Sequence, residues 1–190
     1  MNQRTRINRH PERAVTEEAA EILTRGLVAH VGFCQDGQPF VMPFSYHYDP
    51  DDARRVYLHG SQASRALLYL ASGAPVCITV TLLDGLVYSR TAMYHSMNYR
   101  SVVCFGRVQR LVQAADHADL FERMIERYFP GRTAGQDYEA PPESHLRSTA
   151  LIEVEIEEWS AKARRGGPLG PRDAETEAPG TCGVHELRNS

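Results

Sequence analysis

Leu27-Val28-Ala29-His30-Val31-Gly32-Phe33-Cys34, Gln35-Asp36-Gly37-Gln38, Pro39-Phe40-Val41-Met42-Pro43-Phe44-Ser45-Tyr46-His47-Tyr48 is the stretch that decides the fold. Two apolar runs flank Asp36-Gly37. A tight turn between strands needs positive φ, which Asp and Gly tolerate, so the stretch reads as a β-hairpin. Pro43 cannot donate to a strand ladder, which places the second strand at a sheet edge or a bulge.

Outward from the hairpin, Thr16-Glu17-Glu18-Ala19 opens a helix that Gly26 ends, with Thr16 as cap. A loop over Asp49 to Arg55 leads to a third strand, Arg55 to His59. Ala63 to Ser72 reads as a short helix with Leu67, Leu68, Leu70 and Ala71 on its apolar face and Gly73 as its stop. Pro75 to Leu83 is β-branched and strand-like, followed by a turn at Asp84-Gly85. Leu86 to Tyr94 and Ser101 to Val112 read as strands joined by His95 to Arg100, with Gly106 at a bulge or a close backbone approach. Ala114 to Phe129 is an amphipathic helix, and Thr149 to Trp159 a last strand. This order predicts a mainly β fold with some α: a small antiparallel barrel of roughly six to seven strands with helices outside it. Regular βαβ alternation is missing, and so are GxGxxG and GxxxxGK[ST] phosphate loops.

At 190 residues the chain predicts one domain with tails: an N-terminal arm over 1–15, a core over 16–168 and a flexible Gly- and Pro-rich segment over 169–190. A formal net charge of -3 gives no broad attraction to nucleic acid or anionic membrane. Any phosphate site must therefore be built locally from placed cations. The arginine-rich start lacks an apolar signal core, and no run is long enough to span a membrane, so a cytoplasmic protein is expected. Cys34, Cys77, Cys104 and Cys182 form no CxxC pair and read as free thiols.

Four constellations carry candidate chemistry. Tyr57-Leu58-His59-Gly60-Ser61-Gln62-Ala63-Ser64-Arg65 runs from a strand into a helix, with hydroxyl donors, a permissive glycine and a guanidinium fork that suits phosphate; simple helix capping uses the same geometry. His95 to Ser101 brings Asn98, Tyr99, Arg100 and Ser101, which suit a flat heteroaromatic ring or a phosphate, or a solvated connection. Phe40 to Tyr46 offers an edge strand whose freed backbone could meet the polar rim of a ring, or whose aromatics fill the core. Trp159 to Pro168 sets Lys162, Arg164 and Arg165 after the last strand, where a charge run is ordinarily solvated. His30, His47 and His59 lie in or beside strands without metal-ligand spacing, so no metal site is expected. No GxSxG supports a serine nucleophile.

The ordered set of short matches resembles the FMN-binding split-barrel superfamily, in the flavin-nucleotide-binding branch related to pyridoxamine 5′-phosphate oxidases and 5-nitroimidazole-resistance proteins. The matching pieces are Gly32-Phe33, Asp36-Gly37-Gln38-Pro39, Val41 to Tyr46, Tyr57-Leu58-His59-Gly60, Ser64-Arg65, Thr79-Val80-Thr81, Asp84 to Val87, His95-Ser96, Asn98 to Val103 with Gly106, and Ser160-Ala161-Lys162 with Arg164 and Gly167-Pro168. The resemblance implies a split barrel and a homodimer with FMN at its interface. It further implies that Val41, Met42, Pro43 and Phe44 line the isoalloxazine. Ser64 and Arg65 would hold the phosphate beside His59 and Gly60, and Tyr99, Arg100, Ser101, Lys162 and Arg164 would contribute further contacts. Three departures stand out: Ala66 occupies the place of a second phosphate cation, no RxHxR-like substrate motif occurs near the C-terminus, and Thr181-Cys182-Gly183-Val184 stands where relatives of this branch often carry a tryptophan before a glycine.

The activity implied is flavin-mediated reduction or oxidation of a small organic molecule, with NAD(P)H as a donor and nitro reduction as one candidate reaction. Storage or sensing of FMN without turnover is a second reading. Haem binding, with His30, His47 or His59 as axial ligand, is a third.

Overall fold

A computed structural model describes residues 3–187, the side chains of Ala114 and Ala115 excepted. Eight strands pair in the order β2-β1-β5-β6-β7-β4-β3, with β8 added to β5: β1 Ala29–Gln35, β2 Gln38–Phe44, β3 Tyr46–Tyr48, β4 Arg55–Ser61, β5 Pro75–Tyr88, β6 Ser96–Leu111, β7 Thr149–Arg164 and β8 Gly183–Glu186. The pairs β1–β2, β1–β5, β3–β4, β4–β7 and β5–β8 are antiparallel. Among the described residues four α-helices accompany them: α1 Ala19–Arg25, α2 Arg65–Leu70, α3 Ala114–Tyr128 and α4 Glu143–Ser148. The chain clusters into two compact units, and β5, β6 and β7 contribute residues to both.

The first unit holds residues 26–80 and 103–159. Its opening hairpin forms as the sequence predicts, with Asp36 and Gly37 at φ 53° and 79°. β2 ends the strand order, so Pro43 stands on an edge and breaks no central ladder. Between β2 and β3 the peptide groups are satisfied by α3. The Tyr128 hydroxyl accepts from the Tyr46 N–H at 2.9 Å, while the Arg127 guanidinium donates to the carbonyls of Tyr46 and Gly26. Leu120 and Met124 of α3 pack on Tyr57, Val112 and Leu151, which seats the helix against β4 and β7. Gly106 is a close approach: a Cβ there would run into the Glu155 carbonyl.

The second unit holds residues 3–25, 81–102 and 160–187. Here two expectations fail. Asp84-Gly85 is no turn, because β5 continues to Tyr88. The Asp84 carboxylate is gripped by Arg100, and Gly85 pairs with Glu186, where a Cβ would come within 3.1 Å of the His185 carbonyl. The glycine serves strand contact. Likewise His95 to Arg100 is no connection, since β6 begins at Ser96. The reversal lies at 89–95, where Asp173 accepts from the Ser89 hydroxyl and the Arg90 N–H. The segment beyond 168 carries this Asp173 and β8. At the other end, α1 begins three residues after Thr16, following a 3₁₀ turn over Thr16–Glu18. The Val15 N–H donates to Ala161 O at 3.0 Å.

Candidate functional site

β2 presents Val41, Met42 and Pro43 to solvent, with Phe44 half-buried. Val41 is 68% exposed, unusual for a branched aliphatic residue inside a strand. Among the described residues no strand pairs with the other side of this backbone. Phe40 stacks on Phe33 with ring centres 5.4 Å apart.

β4 leads into α2, whose first residue, Arg65, reaches that strand. Ser64 caps the helix, accepting from the Leu67 N–H at 3.5 Å, and Ser61 accepts from the Ala63 N–H. Gly60 leaves room for Leu67, whose Cδ1 would stand 3.1 Å from a Cβ. Arg65 is exposed, and its guanidinium carbon sits 4.2 Å from the Phe40 ring centre. Among the described residues no carboxylate pairs with it. The α2 face is narrower than the pattern suggests: Ala66, Leu67 and Leu70 are buried, whereas Leu68 and Ala71 are exposed.

His59 is half-buried on β4, edge-on to Phe121 at 5.3 Å. Its Nδ1 is buried without a partner, and burial pushes its pKa down. It lines an apolar pocket of about 270 Å³ together with Phe121, Met124, Ile125 and Phe129. His30 is exposed on β1, and His47 is buried with neither ring nitrogen partnered.

The remaining residues implied by the resemblance lie in the other unit, on β6 and β7. Arg100 holds Asp84 through two hydrogen bonds, 2.7 and 3.0 Å, and reaches Glu21 at 3.3 Å. The shared hydrogen bond lowers the Asp84 pKa and raises that of Arg100. Lys162 Nζ donates to Arg9 O at 2.8 Å. Arg164 is buried and donates to Asn98 Oδ1 and to the carbonyls of Gly166 and Gly167, with burial lowering its pKa. Ser101 Oγ lies 3.4 Å from Lys162 O, and Tyr99 is half-buried. Arg100, Lys162 and Arg164 thus spend donors inside the chain, whereas no side-chain hydrogen bond from Arg65 is found among the described residues.

Three contacts join residues whose pairing no local pattern signals: Phe40 under Arg65, Asp84 with Arg100, and Phe121 against His59. Phe40 falls in the candidate edge strand, Asp84 in the expected turn and Phe121 within the amphipathic helix, but nothing local points any of them at its partner. Among the described residues no group of three or more His, Cys, Asp or Glu side chains could hold a metal ion. Among the described residues no helix is long and apolar enough to cross a membrane.

The chain matches a family model described as pyridoxamine 5′-phosphate oxidase over residues 16–163. Among solved structures it is similar to the FAD and heme binding protein from Mycobacterium smegmatis, at 30% identity and TM-score 0.79, covering 92% of this chain and 84% of that one. It is similar also to the flavocytochrome Anf3 from Azotobacter vinelandii, at 31% identity and TM-score 0.82, covering 98% and 85%. A Bacteroides thetaiotaomicron protein named for 5-nitroimidazole antibiotic resistance shares the fold at 20% identity and TM-score 0.62, covering 79% and 86%. The curated proteins contain no match. With the family model spanning most of its length and an antiparallel sheet of the split-barrel kind, the chain belongs to the pyridoxamine 5′-phosphate oxidase-like family of flavin-binding split barrels.

Proposed function

We propose that this protein binds FMN along the exposed edge of β2 and uses it for oxidation or reduction of a small organic molecule. The observation that carries the reading is Arg65: an exposed guanidinium with no carboxylate partner among the described residues, resting on Phe40 of β2. A phosphate needs such a local cation in a chain whose net charge is -3. Family membership and the names of two relatives at about 30% identity, one for FAD and heme and one as a flavocytochrome, support a flavin as the cofactor. Bound flavin supplies electron and hydride transfer, and the protein's part is binding, orientation and exclusion of water. Val41, Met42 and Phe44 offer apolar contact to a flat ring, Pro43 keeps the edge open, and Ser64 with Arg65 addresses the phosphate. A second copy of the chain covering β2 would complete the enclosure, so the working unit is a homodimer, with NAD(P)H as the candidate electron donor and the cytoplasm as the expected location.

Titration of the apoprotein with FMN, riboflavin and FAD, followed by flavin fluorescence, tests the cofactor. FMN must bind more tightly than riboflavin; equal binding removes the phosphate from the argument, and preference for FAD corrects the nucleotide. Anaerobic NADH or NADPH oxidation then separates an enzyme from a store or sensor of flavin.

A second reading rests on His59, with its unpartnered Nδ1 and its place in the wall of an apolar pocket. One relative is named for haem as well as FAD, and the other is named a flavocytochrome. Haem would take His59 as an axial ligand. Reconstitution with hemin tests it: the reading requires a Soret band that His59→Ala shifts or abolishes.

A further inference from the structure

α2, α3 and α4, with the adjoining ends of β6 and β7, line a cavity of about 400 Å³ within one unit. That size falls in the roughly 300–1,000 Å³ range of small-molecule sites. Its floor is mostly apolar, with Leu67, Val112 and Ala150 all buried. At its mouth stand Leu68 and Leu111, 63% and 52% exposed. Two large aliphatic side chains facing water across one opening are what an apolar ligand would cover.

The polar groups are few and placed at the two ends. On the floor, His117 is 4% exposed; its Nε2 lies 3.1 Å from Val112 O and donates to it, and its Nδ1 is buried without a partner. At the mouth are Gln62, Gln113 and Arg147. The lining contains a cation and no carboxylate among the described residues. Arg147 does pair with Glu143 at 2.6 Å, one helical turn away on α4, but both side chains are solvent-exposed. Exposed pairs of this kind are weak, and Arg147 can exchange partners readily.

We propose that this cavity binds an amphipathic organic acid, with its apolar chain or ring on the Leu67–Val112–Ala150 floor and its carboxylate at Arg147. The inference does not depend on the flavin reading. Leu68 follows Arg65 by three residues on α2, but the groups used are different.

The test uses anilinonaphthalene sulfonate, an apolar dye with one anionic group, and decanoate as competitor. The dye should bind saturably, one per chain, to the protein with its cooperative thermal melt intact. Decanoate should displace it, and decanol should do so much less well. Ala71→Trp and Leu68→Glu alter exposed positions at the mouth and should each abolish binding without changing the melt. Arg147→Ala should weaken decanoate by roughly tenfold and leave decanol unaffected. The proposal is overturned if no saturable site appears, if both mouth variants bind the dye like the parent, or if decanol displaces it as well as decanoate does.

Discussion

The guanidinium carbon of Arg65 lies 4.2 Å from the centre of the Phe40 ring. The contact joins the first turn of α2 to the edge strand β2, and it holds the cation over an aromatic ring that is itself stacked on Phe33. A cation held this way stays exposed and oriented, and its N–H donors remain available to an anion.

Arg65→Ala should therefore weaken FMN by roughly 10- to 150-fold, the equivalent of one lost charge-assisted hydrogen bond of about 1.5–3 kcal/mol. Riboflavin, which lacks the phosphate, should bind both proteins alike. Arg65→Lys should recover part of the loss, because it keeps charge without the fork. Phe40→Ala should cost FMN about two- to fivefold through the lost cation–π platform. Fluorescence titration reads all four, and unchanged FMN affinity in Arg65→Ala moves the phosphate elsewhere.

Arg100 should behave differently. Its donors are committed to Asp84 and Glu21, so Arg100→Ala is expected to lower stability by about 1–3 kcal/mol. Asp84 has a depressed pKa because Arg100 hydrogen-bonds it. Its contribution is full above the unfolded carboxylate value, about 3.9, and is lost as pH falls through the lower folded value. Asp84→Asn should then melt earlier than the parent at pH 7, and the difference should shrink in acid. Melting curves across pH 2–7 check this, and an acid-independent difference would leave the ion pair without the role assigned to it.

The same two residues show where the sequence is legible and where it is not. Arg65 could be found because the strand–Gly–Ser–helix pattern around it is local. Phe40, its platform, is 25 positions earlier, and no window of sequence joins them. Asp84-Gly85 has the composition of a tight turn, yet its structure is set by Arg100, 16 residues on, and by β8 near the end of the chain. The hairpin at Asp36-Gly37 has the same dipeptide and does turn, because there the flanking runs pair with each other. Helix α3 was legible from its periodicity, whereas α4, six residues between a proline pair and β7, leaves no periodic trace.

Gly106 supplies a stability prediction that rests on backbone alone. A methyl group at this position would be driven into the Glu155 carbonyl, which a strand of the sheet interior cannot move aside cheaply. Gly106→Ala should cost at least about 1–3 kcal/mol, the usual range for overpacking a filled interior. Gly37→Ala meets no neighbour but sits at φ 79°, so it should cost a smaller amount through the backbone. Urea denaturation of the two variants gives the order; a Gly106→Ala protein as stable as the parent would contradict the close approach of β6 and β7.

His47 gives the pH dependence near neutrality. The side chain is buried, neither ring nitrogen has a partner, and its pKa is lowered first by burial and then by the Arg127 cation; Asp49 and Asp119 oppose that shift and Arg123 adds to it. The folded protein therefore favours neutral His47, while the unfolded chain takes up a proton below about pH 6.5. Between the folded value and 6.5 the unfolded state binds more protons, so stability rises with pH across that window and levels off above it. His59, lowered by burial alone, adds to the same slope. His47→Phe keeps an aromatic ring beside Tyr57, removes two unsatisfied nitrogens and cannot titrate. It should match or exceed the parent at pH 8, where an apolar replacement of an unpaired polar group is close to neutral. Its advantage should grow as pH drops from 6.5 to 5. Thermal melts of both proteins at half-unit steps decide the point: parallel curves through that interval would mean that His47 does not titrate between the folded and unfolded states as its burial requires.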